Sequence, residues 1–153
     1  MKAALLVPFV IADVYELAGA FRRRGEEIAR DVGQTQARWQ VLSAASDVAR
    51  TVPQLARTLG VSRQNVQRIA NALVRDRLAR FVDNPDHRSS PHLVLSDEGR
   101  RILAGLTRAA SSRNRALATR LKGVDLAALR QDLHQIRVAF DSTFPPSTQR
   151  SLV

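Results

Sequence analysis

The chain has 153 residues, no cysteine and a formal net charge of +10. It is long enough to bury a core without disulfides, and it holds no Cys-type zinc site or thiol switch. The surplus charge is local: residues 50–120 carry fourteen Lys/Arg against five Asp/Glu, residues 1–49 six against six, and residues 121–153 four against three.

A basic middle of this kind suits a polyanion, with nucleic acid ahead of an anionic membrane. Arginine supplies 22 of the 24 basic side chains. Its fork matches phosphates and guanine edges, although a high arginine content also follows from genome base composition. The apolar run Ala3–Ala12 is followed at once by Asp13 and Glu16, without a signal-peptide cleavage pattern. No stretch approaches the roughly 18 apolar residues that a spanning helix needs. The expectation is a soluble, cytoplasmic protein with no membrane partner.

Pro8 can open a helix, and Val10, Val14, Leu17, Phe21 and Ile28 follow as an apolar stripe, which predicts a helix to about Arg30. Gly33 breaks it. Thr35 is a good N-cap for a second helix, Gln36 to about Ala45, with Trp39 and Leu42 facing inward. Thr51 can cap a third, with Pro53 in its first turn and Leu55, Ala56 and Leu59 packing, up to Gly60. Ser62 caps a fourth that runs to about Arg75. Arg80–Val82 and His92–Leu95 read as strands of a hairpin, because the segment between them is rich in turn residues from Asp83 to Asp86. Ser96 caps a long helix to about Lys122, with Asp97 and Glu98 favourably placed in its first turn. After Gly123, Asp125 caps a last helix to about Phe140, striped by Leu126, Leu129, Leu133 and Ile136. Pro145-Pro146 starts a polar tail.

The segment from Leu55 to Ser62 joins two helices in a way that predicts a helix-turn-helix. Ala56 is small enough for close helix approach, Gly60 supplies the positive φ of a tight turn, Val61 is placed to plug that turn, and Ser62 caps the next helix. On that fourth helix, Val66, Ile69, Ala70 and Leu73 share one face at 100° per residue. Gln64, Arg68, Asn71 and Arg75 share the opposite face, flanked by Arg63, Asn65 and Gln67, and no acid occurs before Asp76. Amide and guanidinium groups of this kind make paired contacts with adenine and guanine in the major groove, whereas an ordinary solvated face mixes Glu with Lys. The hairpin tip adds Asp86, His87, Arg88, Ser89 and Ser90. Arg88 suits a narrow minor groove or a phosphate, Ser89 suits phosphate, and Asp86 could pair with an arginine to stiffen the tip. The expected fold class is therefore mainly α with a small β-hairpin wing: a winged helix-turn-helix flanked by further helices.

On these motifs the chain resembles the MarR family of transcription regulators. The likeness runs from Gln34 to about Leu103, through Thr35–Leu42, Leu55–Arg68, the wing residues Asp86-His87-Arg88, and Leu93–Gly99. The Asp-x-Arg wing followed by Leu-Ser-x-x-Gly is its most specific part. The resemblance implies a homodimer held by the first and last helices and a palindromic operator on double-stranded DNA. It implies a repressor more often than an activator, with release by a small aromatic effector. It places DNA contacts on Ser62, Arg63, Gln64, Asn65, Gln67, Arg68 and the wing residue Arg88. Two departures stand out: His87 replaces the first of two basic residues usual after the wing aspartate, and Ala79 stands near the turn where a glycine is often found. The implied organisation is an N-terminal dimerisation helix (1–34), a winged region (35–97), C-terminal dimerisation helices (98–144) and a tail (145–153).

The residues also support a dimer directly, because one winged module buries only about 600–1,000 Å² on DNA and a lone winged domain does not need such flanking helices. Tyr15, Arg38 and Trp39 are candidate effector contacts, although a tryptophan so placed is more often core. Arg22-Arg23-Arg24 reads as a solvated helix end. The three histidines lack helical metal spacing, and no catalytic set or phosphate loop stands out, so neither a metal, a cofactor nor an enzyme activity is expected. A nonspecific architectural DNA-binding protein is the rival reading; it would share the basic middle but would not need the amide face of the fourth helix.

Overall fold

A computed structural model describes residues 3–144; the tail expected at 145–153 lies outside them. By its contacts the described chain forms two units that part between Ser112 and Arg113, inside the helix Asp97–Arg120.

In the first unit a 3-10 turn at Ala3–Leu5, not apparent from the sequence pattern, precedes α1 (Val7–Arg30), with Pro8 in its opening turn. Then come α2 (Gln36–Ala44), a two-residue strand β1 (Arg50–Thr51), α3 (Val52–Leu59), α4 (Arg63–Arg75), β2 (Ala79–Val82), β3 (His92–Leu95) and the start of α5 (Asp97–Arg120). The caps form where the sequence places them. Thr35 Oγ1 accepts from the Arg38 N–H at 3.2 Å, and Ser62 Oγ from the Asn65 N–H at 3.2 Å. Thr51 and Gln54 form a reciprocal capping box, with bonds of 2.8 and 3.4 Å.

The wing is larger than a hairpin. β1 joins it to give a three-stranded antiparallel sheet in the order β1-β3-β2, with Arg50 opposite Leu93 and Thr51 opposite His92. Two residues are too few to show an alternating pattern, so in sequence Thr51 shows only its capping role. On the other side of β3, Ala79 pairs with Leu95 and Phe81 with Leu93. Leu93 and Leu95 are buried in one core with Val41, Leu42, Leu55, Ala56, Val66, Ile69, Ala70 and Leu73. All four residues expected on the inner face of α4 are therefore buried. Large side chains such as Leu73 contribute about 1.5–3 kcal/mol each by leaving water.

The turn between α3 and α4 follows the expected plan in its backbone and departs from it in one side chain. Gly60 has φ 65° and ψ 34°, a left-handed conformation that glycine adopts without a Cβ penalty. The N–H of Val61 closes the turn on the Ala56 carbonyl at 3.1 Å. Val61 itself is exposed and does not plug the turn; the small, buried Ala56 lets α4 pack against α3 without it.

A second latch fixes the wing to α5. Ser96 donates its hydroxyl to the Arg77 carbonyl (2.8 Å) and its N–H to the Leu78 carbonyl (3.0 Å), while Ser96 Oγ caps α5 by accepting from the Gly99 N–H at 3.0 Å. Gly99 lies so close that a Cβ there would stand 2.0 Å from the Leu78 carbonyl oxygen. This contact explains why serine and glycine belong at these two places. The left-handed turn residue before β2 is Arg77, with φ 60°, and not the neighbourhood of Ala79, which is buried in the sheet.

In the second unit, Asp125 Oδ1 accepts from the Ala127 and Ala128 N–H groups at 3.0 Å each and opens α6 (Leu126–Thr143). Every residue of α6 is exposed, including its apolar stripe of Leu126, Leu129, Leu133 and Ile136. Phe140 and Phe144 meet in a tilted ring contact at 5.1 Å.

Candidate nucleic-acid interface

With Val66, Ile69, Ala70 and Leu73 turned into the core, α4 must present its other face to solvent. Arg63, Gln64, Gln67, Arg68, Asn71 and Arg75 are exposed there, Asn65 is half-buried, and Ser62 is exposed at the cap. The first acid is Asp76, at the end of the helix.

The polar groups on this face are already ordered among themselves. Arg68 Nη2 donates to Asn65 Oδ1, and Gln67 Nε2 to Asn71 Oδ1, both at 2.9 Å. The Arg68 fork is thus steadied by a neighbour three residues back, and it keeps donors for a guanine edge. Ser62 uses its lone pair as the cap and keeps its hydroxyl proton for a phosphate.

The wing brings its own residues to the same side. Arg63, Gln64 and Gln67 of α4 line a cleft of about 330 Å³ together with Ser89 and Ser90 of the wing and the apolar Val52, Pro53, Phe81 and Pro91. Two elements that are distant in sequence therefore meet beside the amide face. Arg88 is exposed at the tip and has no side-chain partner among the described residues. Ser89 Oγ lies 3.0 Å from His87 Nδ1, so the histidine that departs from the family pattern is bonded within the tip.

The tip is stiffened by a residue other than the one expected. Asp86 has no ion-pair partner among the described residues. The organiser is Asn84, which is buried: its Nδ2 donates to the Ser90 carbonyl at 3.0 Å and its Oδ1 accepts from the Asp86 N–H at 3.1 Å. The Asx-turn habit of asparagine is the sequence signal that could have marked it.

The candidate effector contacts are not gathered. Tyr15 is exposed on α1, in a shallow groove with Asp13, Glu16 and Arg23 that contains neither Arg38 nor Trp39. Trp39 is half-buried on α2. Arg38 Nη1 donates to Asp76 Oδ2 at 2.7 Å, an ion pair between α2 and the end of α4 that no local sequence signal marks. This hydrogen bond is the main influence holding the Asp76 carboxyl below its usual pKa; desolvation opposes it, and the charges of Arg38 and then Arg75 add to the lowering. Among the described residues no three His, Cys, Asp or Glu side chains cluster as a metal site would need, and no helix is long and apolar enough to cross a membrane.

A capped helix with an exposed amide and guanidinium face, set beside a three-stranded wing, defines a winged helix-turn-helix. The description of the MarR family matches residues 32–88. The uncharacterized protein Rv2011c of Mycobacterium tuberculosis is 52% identical over 136 residues, which covers 89% of this chain and 95% of that protein. Among solved structures, the transcriptional regulator BldR from Sulfolobus solfataricus superposes with a TM-score of 0.77 at 15% identity, over 91% of this chain and 99% of that one. Apo MarR from E. coli gives 0.65 at 20% identity, over 80% and 92%. The chain belongs to the MarR family of transcription regulators.

Proposed function

We propose that the protein is a sequence-specific regulator of transcription that binds a palindromic operator on double-stranded DNA as a homodimer, acting as a repressor. The observation that carries this reading is the exposed face of α4. Seven Ser, Arg, Gln and Asn residues (Ser62, Arg63, Gln64, Gln67, Arg68, Asn71 and Arg75) are exposed there without an acid until Asp76, and the wing stands beside them. In this reading Gln64, Asn65, Gln67, Arg68 and Asn71 face base edges in the major groove. Ser62, Arg63, Arg75 and Ser89 hold phosphates, and Arg88 enters the adjacent minor groove.

Exposed apolar surface supports the dimer. Val10, Val14, Leu17 and Phe21 of α1 are between 38% and 61% exposed, and the α6 stripe of Leu126, Leu129, Leu133 and Ile136 between 43% and 47%. Soluble monomers rarely leave such continuous stripes uncovered, and a second copy would cover both. Release from DNA falls to a small aromatic effector bound near α1 and α2, where Tyr15 and Trp39 are the candidate contacts. Arg38 would join them only by giving up Asp76.

Selection of bound duplexes from a random DNA pool tests the reading. An inverted repeat with half-sites about one helical turn apart is expected. Enrichment of no sequence, with affinity falling equally on all duplexes as salt rises, would instead mark a nonspecific architectural protein.

A further inference from the structure

The two ends of α4 are held by different means. At the start, Ser62 caps the helix and the Val61 N–H ties the turn before it to the Ala56 carbonyl of α3. At the far end, the cap residue Asp76 is gripped by Arg38, thirty-eight positions earlier in the chain, at 2.7 Å. The Arg38 side chain is only 20% exposed. The Asp76 side chain is 40% exposed, so the charge-assisted bond contributes direction more than strength.

Arg38 is itself well placed to act as an anchor. It stands in the first turn of α2, where its N–H is held by Thr35. Two residues before it, the Gln36 N–H donates to Glu26 Oε2 of α1 at 2.8 Å. A line of polar contacts therefore runs from α1 through the start of α2 to the end of α4. On the outer side, the second Asp76 oxygen lies 3.6 Å from Arg75 Nε, beside the face that reads DNA.

Leverage gives this contact its importance. A helix of 13 residues is about 20 Å long, so a tilt of about 5° about its capped end moves the other end by nearly 2 Å. Site geometry tolerates only about 0.5 Å. Val66, Ile69, Ala70 and Leu73 set which face of α4 is buried, and Leu73 packs close to this end, but apolar packing has no direction of its own. The Arg38–Asp76 bond adds a directional restraint at the end of the helix, where a tilt is largest.

We propose that Arg38 and Asp76 are a positioning pair: they fix the angle of α4 on α2 and thereby set how sharply its face distinguishes one DNA sequence from another. Neither side chain contacts a base. The proposal rests on the DNA-reading function above.

The test compares the full-length protein with Arg38→Ala, Asp76→Asn, the double variant and the charge-swapped Arg38→Asp/Asp76→Arg. Each is titrated with the duplex selected by the wild type and with a scrambled duplex at one salt concentration, and thermal unfolding is followed in parallel. Each single variant should lower the ratio of selected to scrambled affinity by about threefold to thirtyfold. The double variant should be no worse than the singles, and the swap should recover part of the ratio. Asp76→Asn is the sharpest arm, because it removes a negative charge next to DNA: a purely electrostatic role would tighten binding to both duplexes and leave their ratio unchanged. That result overturns the proposal, as does a ratio unchanged in both single variants. A loss that appears equally on both duplexes and tracks the unfolded fraction shows a structural role only, and also overturns it. A wild type that selects no sequence would sink the DNA-reading function itself, an outcome separate from all of these.

Discussion

Gly99 shows how one missing atom can decide a local structure. Its neighbour Ser96 bonds back to Arg77 and Leu78, drawing the start of α5 onto the entry of the wing. The approach leaves no room for a Cβ, which would sit 2.0 Å from the Leu78 oxygen, a backbone carbonyl already held by the Ser96 N–H. Gly99→Ala should therefore cost about 1–3 kcal/mol, read as an earlier urea midpoint at unchanged slope. An unchanged midpoint would mean that the latch yields freely. Arg77 shows the opposite economy: a residue with a Cβ occupies the left-handed position where glycine would be easier, and its carbonyl is held by Ser96.

Among the elements, α4 was the most legible in the sequence and the wing the least. The inner and outer faces of α4 follow from a period of 3.6 residues, and Ser62 and Gly60 mark its start by conformational preference alone. The wing depends on pairings between distant residues. β1 is two residues long and takes its identity from Leu93 and His92, about forty positions away. The buried Asn84, and not Asp86, ties the tip, because the amide can both donate and accept across the turn. Arg38 and Asp76 were equally out of reach of local pattern. At this scale the exposed Arg88 is the clearest target. Arg88→Ala should weaken operator binding about tenfold at physiological salt and make the salt dependence shallower by about one unit, measured by fluorescence anisotropy. Unchanged affinity would remove Arg88 from the interface.

For the whole molecule, the positive charge and the uncovered apolar surface lie in different parts of the chain. The charge is concentrated in residues 50–120, the stretch that holds α4 and the wing. The uncovered apolar side chains lie chiefly on the first half of α1 and on α6. The sequence showed both stripes, but periodicity says only that a face is apolar, not whether the same chain or another covers it. The exposure of α6 along its whole length favours another chain. Sedimentation equilibrium at micromolar concentration should accordingly give twice the 16.9 kDa chain mass, and a single-chain mass would contradict the dimer.

If the face of α4 reads bases, its side chains must matter for one duplex and not for another. The most direct measurement is the affinity of the wild type, Gln64→Ala and Arg68→Ala for the selected duplex and for a scrambled one, at the same salt. Loss of about 1–3 kcal/mol on the selected duplex, with little change on the scrambled one, is the expected result. Wild-type discrimination in both variants would contradict it and place sequence reading elsewhere on the molecule.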